Sequence, residues 1–100
     1  MIDEGWTRFE WDEEKNKKNI RKHGVSFEEA QTVFLDDYAR IFPDTAHSGD
    51  EEKFIIIGMS QRFRILMVCH CLRCGGNVVR IISARKADSM EAKGYDNYRR

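Results

Sequence analysis

Three apolar segments joined by short turns constrain the fold of this chain most. They cover residues 53–59, 64–71 and 77–84, and they are rich in Ile, Val, Met and Cys. β-branched side chains favour a pleated sheet, and turns as short as residues 61–62 and 73–77 join antiparallel neighbours. The sequence therefore predicts a three-stranded antiparallel meander in the C-terminal part of the chain.

The N-terminal half carries signals for one strand and two helices. The alternation of residues 9–11 predicts a short strand. Asp12 is placed as the N-cap of a polar helix that ends at Gly24. Ser26 and Glu29 form a capping box that predicts the start of a second helix, whose apolar face packs on the sheet.

The remaining signals complete an α+β pattern. Residues 38–42 suit a strand, residues 46–50 an exposed loop, and Asp88 or Ser89 the cap of a short C-terminal helix. We therefore expect N-terminal helices packed on a small antiparallel sheet that includes the three-strand meander, followed by the C-terminal helix. The 100 residues have no internal repeat and a single proline, so one domain covering residues 1–100 is expected.

The charges are distributed unevenly although their sum is zero. Residues 1–52 hold fourteen acidic and seven basic side chains, whereas residues 53–100 hold three acidic and ten basic ones. A basic half indicates a polyanionic partner such as a nucleic acid. The alternative is that the two halves attract each other within the fold.

The cysteines and the N-terminus indicate the compartment. Three cysteines lie close together, at positions 69, 71 and 74, which suits a reducing environment better than a disulfide framework. The first residues are acidic and lack the apolar region of an export signal. A cytoplasmic protein that does not associate with a membrane is expected. His70 is predicted to face away from Cys69 and Cys71, so we expect no metal and no cofactor.

The hairpin registers predict which polar residues share one face of the sheet. With a two-residue turn at 61–62, Lys53 lies opposite His70. With a loop at 73–77, His70 lies opposite Arg80. The expected result is a cross-strand row of Lys53, His70 and Arg80, although a slip of one residue would reverse the faces.

Such a row suits the cleavage of RNA by its own 2′-hydroxyl. His70 titrates near neutrality and can transfer protons, while Arg80 and Lys53 stabilise charge on the phosphate. The alternative is that Arg80 and Lys53 are ordinary solvent-facing residues and His70 a hydrogen-bonded bystander. The basic side chains expected to hold the RNA strand are Arg62, Arg64, Arg85 and Lys86.

Three segments of the sequence resemble the BrnT toxin family. They are Phe-Glu-Trp-Asp at 9–12, Arg-Lys-His-Gly-Val-Ser-Phe-Glu-Glu-Ala at 21–30 and Arg-Ile-Ile-Ser-Ala-Arg-Lys-Ala at 80–87, followed by Glu91 and Tyr95. The resemblance implies a RelE-like fold and a ribonuclease that arrests translation and growth. It also implies a ribbon-helix-helix antitoxin of the BrnA type as partner, through which the toxin would form oligomers.

The resemblance leaves the proton carrier open. The stretch Cys69-His70-Cys71 is not part of the family motif, and RelE-like nucleases often use arginine, lysine, tyrosine or glutamate instead of histidine. Glu91 and Tyr95 are therefore alternative catalytic residues. Two other functions also stay open: a non-catalytic basic module that binds nucleic acid or an acidic protein, and a toxin with another target, such as a topoisomerase.

Overall fold

The computed structural model describes residues 8–45 and 51–99. The predicted loop at 46–50 and the first seven residues lie outside these ranges. The described elements, in chain order, are β1 (Arg8–Glu10), α1 (Glu13–His23), α2 (Phe27–Gln31) with a 3₁₀ turn (Thr32–Leu35), β2 (Arg40–Pro43), β3 (Phe54–Met59), β4 (Ile65–Arg73), β5 (Val78–Lys86) and α3 (Ser89–Arg99). They give the mixed α+β architecture that the sequence predicts.

The described strands form one sheet in the order β1-β5-β4-β3-β2. Strands β2 to β5 are antiparallel, as predicted. The expectation of a wholly antiparallel sheet is wrong, because β1 pairs with β5 in parallel, with Phe9 opposite Val79. A parallel neighbour needs a long connection, and the two strands are separated by most of the chain.

The helix caps follow the sequence signals closely. Asp12 accepts hydrogen bonds from the amides of Glu14 and Lys15, and Gly24 ends α1 with a φ of +70°. Ser26 accepts from the amide of Glu29 at the start of α2. These caps satisfy the amide groups that a helix start leaves without partners.

Two asparagines of α1 attach this helix to β5 and to the start of α2. The side chain of Asn19 donates to the carbonyls of Val25 and Ala84 and accepts from the Ala84 amide. Asn16 accepts from the Phe27 amide at 2.8 Å. Both asparagines are buried, whereas Ile20 is 44% exposed. Hydrogen bonds, rather than an apolar stripe, therefore fix this polar helix.

The two faces of the sheet differ in what covers them. The helix-covered face carries Ile56, Leu66, Val68 and Ile81, which pack under α1, α2 and the 3₁₀ turn in the main core. The opposite face, called the open face here, is covered at one end by α3, where Tyr95 packs with Ile57 and Met67. Its other end carries Lys53, Cys71, Arg80 and Glu10.

Strand β4 lies one residue away from its predicted register. His70 is opposite Phe54 and Ile81, and Cys71 is opposite Arg80, so the predicted row of Lys53, His70 and Arg80 does not form. The β3–β4 loop is one residue longer than predicted, with Met59 opposite Ile65. The β4–β5 loop is one residue shorter, with Arg73 opposite Val78. The two errors reverse the faces of β4 alone.

No helix within residues 8–45 and 51–99 is long and apolar enough to cross a membrane.

Candidate functional site on the open face of the sheet

A row of three side chains crosses the open face near the start of β3. Cys71 of β4 lies opposite Arg80 of β5. The β3–β4 pairing ends at Phe54 and His70, and its continuation by one residue places Lys53 opposite Cys71. The Asp44 amide donates to the Lys53 carbonyl at 2.9 Å, which extends the β2–β3 pairing to the same point. Two cations thus flank one small thiol that is fully buried.

The cations of this region are balanced by carboxylates from the N-terminal half. Arg80 Nη1 lies 3.0 Å from Glu10 Oε2, and the two side chains are 32% and 44% exposed. Arg73 Nη2 lies 3.2 Å from Glu51 Oε2. Sequence reasoning missed Glu10, although the alternation of residues 9–11 already places it on the face opposite Phe9.

His70 lies on the other side of the sheet. It is 1% exposed, its ring centroid is 4.9 Å from that of Phe34, and Phe54 packs beside it. Burial lowers the pKa of His70, because the charged imidazolium loses its hydration. Its ring lines an apolar cleft of about 350 Å³ with Leu72 and Ile41. The sheet therefore separates this imidazole from the Arg80 side chain on the open face.

The other two predicted proton carriers are held by neighbours. Both carboxylate oxygens of Glu91 accept from Arg85, at 2.8 and 2.9 Å, and this pairing lowers the pKa of Glu91 to about 2. The Tyr95 hydroxyl donates to Asp36, and burial raises the pKa of Tyr95 to about 12. Tyr95 is 2% exposed.

Of the four residues predicted to hold RNA, two are paired with carboxylates and two are exposed. Arg64 donates to both carboxylate oxygens of buried Glu29 and to the Gly24 carbonyl. Arg85 binds Glu91 on the open face. Arg62 and Lys86 are exposed at the end of the sheet that holds the β3–β4 turn. Arg64 therefore has a structural partner, while Arg62 and Lys86 face solvent.

The cysteines do not assemble a metal centre in the described ranges, where no three His, Cys, Asp or Glu side chains cluster as ligands. The thiols of Cys69, Cys71 and Cys74 are free. Burial raises the pKa of Cys69 to about 11, and its Sγ lies 3.5 Å from Asp44 Oδ2. Cys69 is therefore protonated at neutral pH.

Comparison with known proteins identifies the family. A family model described as a ribonuclease toxin, BrnT, of type II toxin–antitoxin systems matches residues 11–91. The fold is similar to the crystal structure of the Brucella abortus ribonuclease toxin BrnT, with 27% sequence identity and a TM-score of 0.63. The similarity covers 83% of this chain and 99% of that chain. No curated protein matches the sequence.

The family match includes Lys53, Cys71 and Arg80 as well as the Arg85–Glu91 pair. It confirms the resemblance carried by the motifs at 21–30 and 80–87. Membership carries with it an endoribonuclease activity and a cognate antitoxin. The chain belongs to the BrnT family of ribonuclease toxins of type II toxin–antitoxin systems.

Proposed function

We propose that RNA is cleaved on the open face without a metal ion. A 2′-hydroxyl attacks the adjacent phosphate to form a 2′,3′-cyclic phosphate, and the P–O5′ bond breaks. Water takes the proton of the 2′-hydroxyl and gives one to the leaving 5′-oxygen. Arg80 and Lys53 bind the scissile phosphate from opposite sides of Cys71. The main support is that both cations share this face, separated by a single buried residue. Cleavage of RNA, the activity of this family, requires groups that stabilise negative charge on a phosphate.

The geometry of the row suits a phosphate. Two strand spacings separate the backbones at Lys53 and Arg80 by about 10 Å. Cys71 between them is small and fully buried, and Arg73 and Glu51 lie against its thiol. The long side chains of Lys53 and Arg80 can still bend toward one phosphate group above the row. Arginine can bind a phosphate through two parallel hydrogen bonds, and lysine adds a point charge. Both cations stabilise the negative charge that builds up in the transition state.

Charge stabilisation carries most of the proposed catalysis. None of the three predicted proton carriers is well suited to general acid–base work at neutral pH. His70 is buried on the opposite face, Tyr95 is buried with a raised pKa, and Glu91 is ionised against Arg85. A general acid or base is most effective when its pKa lies near the working pH.

The strand continues along β5, past exposed Ser83 and beside α3, which packs on β3 and β4, toward Arg85 and the β3–β4 turn. Arg85 lies on the same face as Arg80, since Met67 and Cys71, their partners, are both open-face residues of β4. Arg62 and Lys86 are exposed at the far end, where Lys86, opposite Leu66, extends from the helix-covered face of the sheet. A run of cations with this spacing suits the backbone of a single strand.

The cognate antitoxin is proposed to be a ribbon-helix-helix protein of the BrnA type that covers the open face with an acidic segment. Such a segment would compete with RNA for Arg80 and Lys53, since complementary charge favours the same surface. Oligomers would then form through the antitoxin. An RNA substrate and three free thiols suit the cytoplasm.

The test is growth arrest and RNA cleavage by purified toxin variants. Arg80→Ala and Lys53→Ala should lower the cleavage rate at least about 100-fold, whereas Arg80→Lys should retain part of it. Cleavage should persist in EDTA. His70→Phe and Tyr95→Phe are controls that leave Arg80 and Lys53 unchanged, and both should cleave at nearly the wild-type rate. Full activity of folded Arg80→Ala would contradict the proposed site.

The same experiment separates the rival function. A non-catalytic basic module would bind RNA in a salt-sensitive way and yield no fragments. Metal-dependent cleavage would be seen as loss of activity in EDTA and its return with Mg²⁺. That result would contradict the proposed mechanism but not the proposed location of the site.

A further inference from the structure

The β3–β4 turn presents a phenylalanine to solvent in an unfavourable backbone conformation. Phe63 has a φ of +63° and is 86% exposed. Bulky side chains rarely adopt this left-handed conformation, because Cβ approaches the carbonyl oxygen. Single exposed apolar residues are ordinary, but an exposed one on a strained backbone is not.

The hydrogen bonds of the turn define the position that Phe63 occupies. Its amide donates to the Ser60 carbonyl at 2.9 Å, and the Ser60 amide donates to the Arg64 carbonyl at 2.9 Å. This is a three-residue hairpin loop whose last residue is left-handed, a position at which glycine is favoured. The chain therefore carries an exposed aromatic side chain where glycine would cause no strain.

A buried network holds the turn in this conformation. Ser60 is 3% exposed, and its hydroxyl donates to Glu29 and accepts from the Arg62 amide. Arg64, on the other side of Phe63, also binds Glu29. Strained residues that their surroundings hold in place are concentrated at binding and catalytic sites.

We propose that Phe63 stacks on a base of the RNA strand, at a distance from the cleaved phosphate. The inference rests on the proposed placement of RNA on the open face. Seven residues of β4 separate the level of Arg80 from the turn, which is roughly 23 Å. Arg85 lies along this path, and Arg62 and Lys86 are exposed beside the turn. Phe63 thus contacts a base several nucleotides from the cut.

Stacking on an aromatic ring tolerates any base, because every base has a flat π face. Phe63 would therefore raise affinity for longer RNA without selecting a sequence. The cations around it favour an RNA strand over an apolar pocket on a partner protein, since the phosphates next to a stacked base need counter-charges.

Two substitutions separate the side chain from the backbone strain. Phe63→Gly removes the ring and relieves the strain, and Phe63→Trp keeps a stacking surface. The probe is a fluorescent single-stranded RNA of about 12 nucleotides whose 2′-hydroxyls are methylated to prevent cleavage. Fluorescence anisotropy gives the affinity, and thermal unfolding checks the fold. Ile20→Ala on α1 is the control for loss of an exposed apolar side chain on the helix-covered side.

Phe63→Gly should bind the RNA about 10-fold more weakly than wild type, with an unfolding midpoint that is unchanged or higher. Phe63→Trp and Ile20→Ala should bind like wild type. Cleavage of a dinucleotide, which is too short to reach the turn, should be unaffected by Phe63→Gly. This last result would show that Phe63 contributes to binding of longer RNA and not to the cleavage step.

Wild-type affinity of Phe63→Gly would overturn the inference. If Phe63→Gly also binds the cognate antitoxin more weakly than wild type does, the ring contacts the antitoxin and not RNA. If Arg80→Ala cleaves RNA normally, the proposed open-face site fails, whatever the Phe63 variants do. If Arg80→Ala is inactive while Phe63→Gly binds normally, the stacking site alone fails.

Discussion

Arg85 and Glu91 form a two-point ion pair that joins the end of β5 to the first turn of α3. The two hydrogen bonds measure 2.8 and 2.9 Å. Glu91 also accepts from the Asp88 amide, and Asp88 accepts from the Glu91 amide, each at 2.8 Å. This reciprocal cap and the ion pair fix the start of α3 on the open face.

We predict that Glu91→Gln lowers the free energy of unfolding by about 1–2 kcal/mol at pH 7. The effect should depend on pH. Because the folded pKa of Glu91 is about 2 and its ordinary value 4.5, its contribution is complete above pH 5 and is lost as the pH falls toward 2. Urea unfolding of both proteins from pH 7 to pH 2 measures this. A difference that stays constant across that range would contradict the assignment.

Arg64 should matter for stability and not for catalysis. Arg64→Ala leaves buried Glu29 without its charged partner, so the free energy of unfolding should fall by about 3 kcal/mol. Arg62→Ala, an exposed arginine in the same turn, is the matched control and should change it by less than about 0.5 kcal/mol.

The functional readout for Arg64→Ala is cleavage of a short RNA that does not reach the β3–β4 turn, measured well below the unfolding temperature. The rate should equal that of wild type. Wild-type stability together with lost cleavage would instead support the RNA-binding role that the sequence suggested for Arg64.

The strands could be predicted from the sequence, but the register of β4 could not. Loop lengths differ from the prediction by one residue at both ends of β4, and the alternation of Met67, Val68, Cys69, His70 and Cys71 does not reveal which face is buried. Both faces of β4 are largely covered, so apolar residues occur on each of them. The period-2 signal that fixes a half-buried strand is therefore absent here.

The charge asymmetry is explained in part by contacts within the fold. Glu10, Glu29 and Glu51 of the acidic half pair with Arg80, Arg64 and Arg73 of the basic half. The alternative that the two halves attract each other is thus confirmed for these pairs. Charge counts alone could not separate a structural arginine such as Arg64 from an exposed one such as Arg62, because that difference depends on long-range packing.

His70 should make the free energy of unfolding depend on pH between about 7 and 5, above the range in which Glu91 titrates. Burial lowers its folded pKa below the ordinary 6.5, so the unfolded chain binds the proton more readily. The stability of the wild type should therefore fall as the pH drops from about 7 to 5. His70→Phe keeps a ring beside Phe34 and removes the titrating group, and the adjoining cleft leaves room for it.

The measurement is the difference in unfolding free energy between wild type and His70→Phe from pH 8 to pH 5. The curve for His70→Phe should be flatter in this range. RNA cleavage by His70→Phe should match wild type, since the ring lies behind the sheet. A folded but inactive His70→Phe would restore His70 as a proton carrier.

Glu10 should act as a competitor of the substrate phosphate. Its carboxylate accepts from Arg80 Nη1 at 3.0 Å, so it competes with a phosphate for that nitrogen. Glu10→Gln removes the negative charge and keeps the size of the side chain. RNA should then bind about 3-fold more tightly, since exposed ion pairs of this kind contribute little. The maximal cleavage rate should not change.

Glu14→Gln gives the same change in net charge from an exposed site on α1, so it controls for long-range attraction of RNA. Steady-state cleavage with both variants separates KM from kcat. A lower KM for Glu10→Gln alone would support competition at Arg80. A 100-fold loss of kcat would instead assign Glu10 as the general base, because a carboxylate beside the phosphate-binding arginine is also placed to accept the proton of the 2′-hydroxyl.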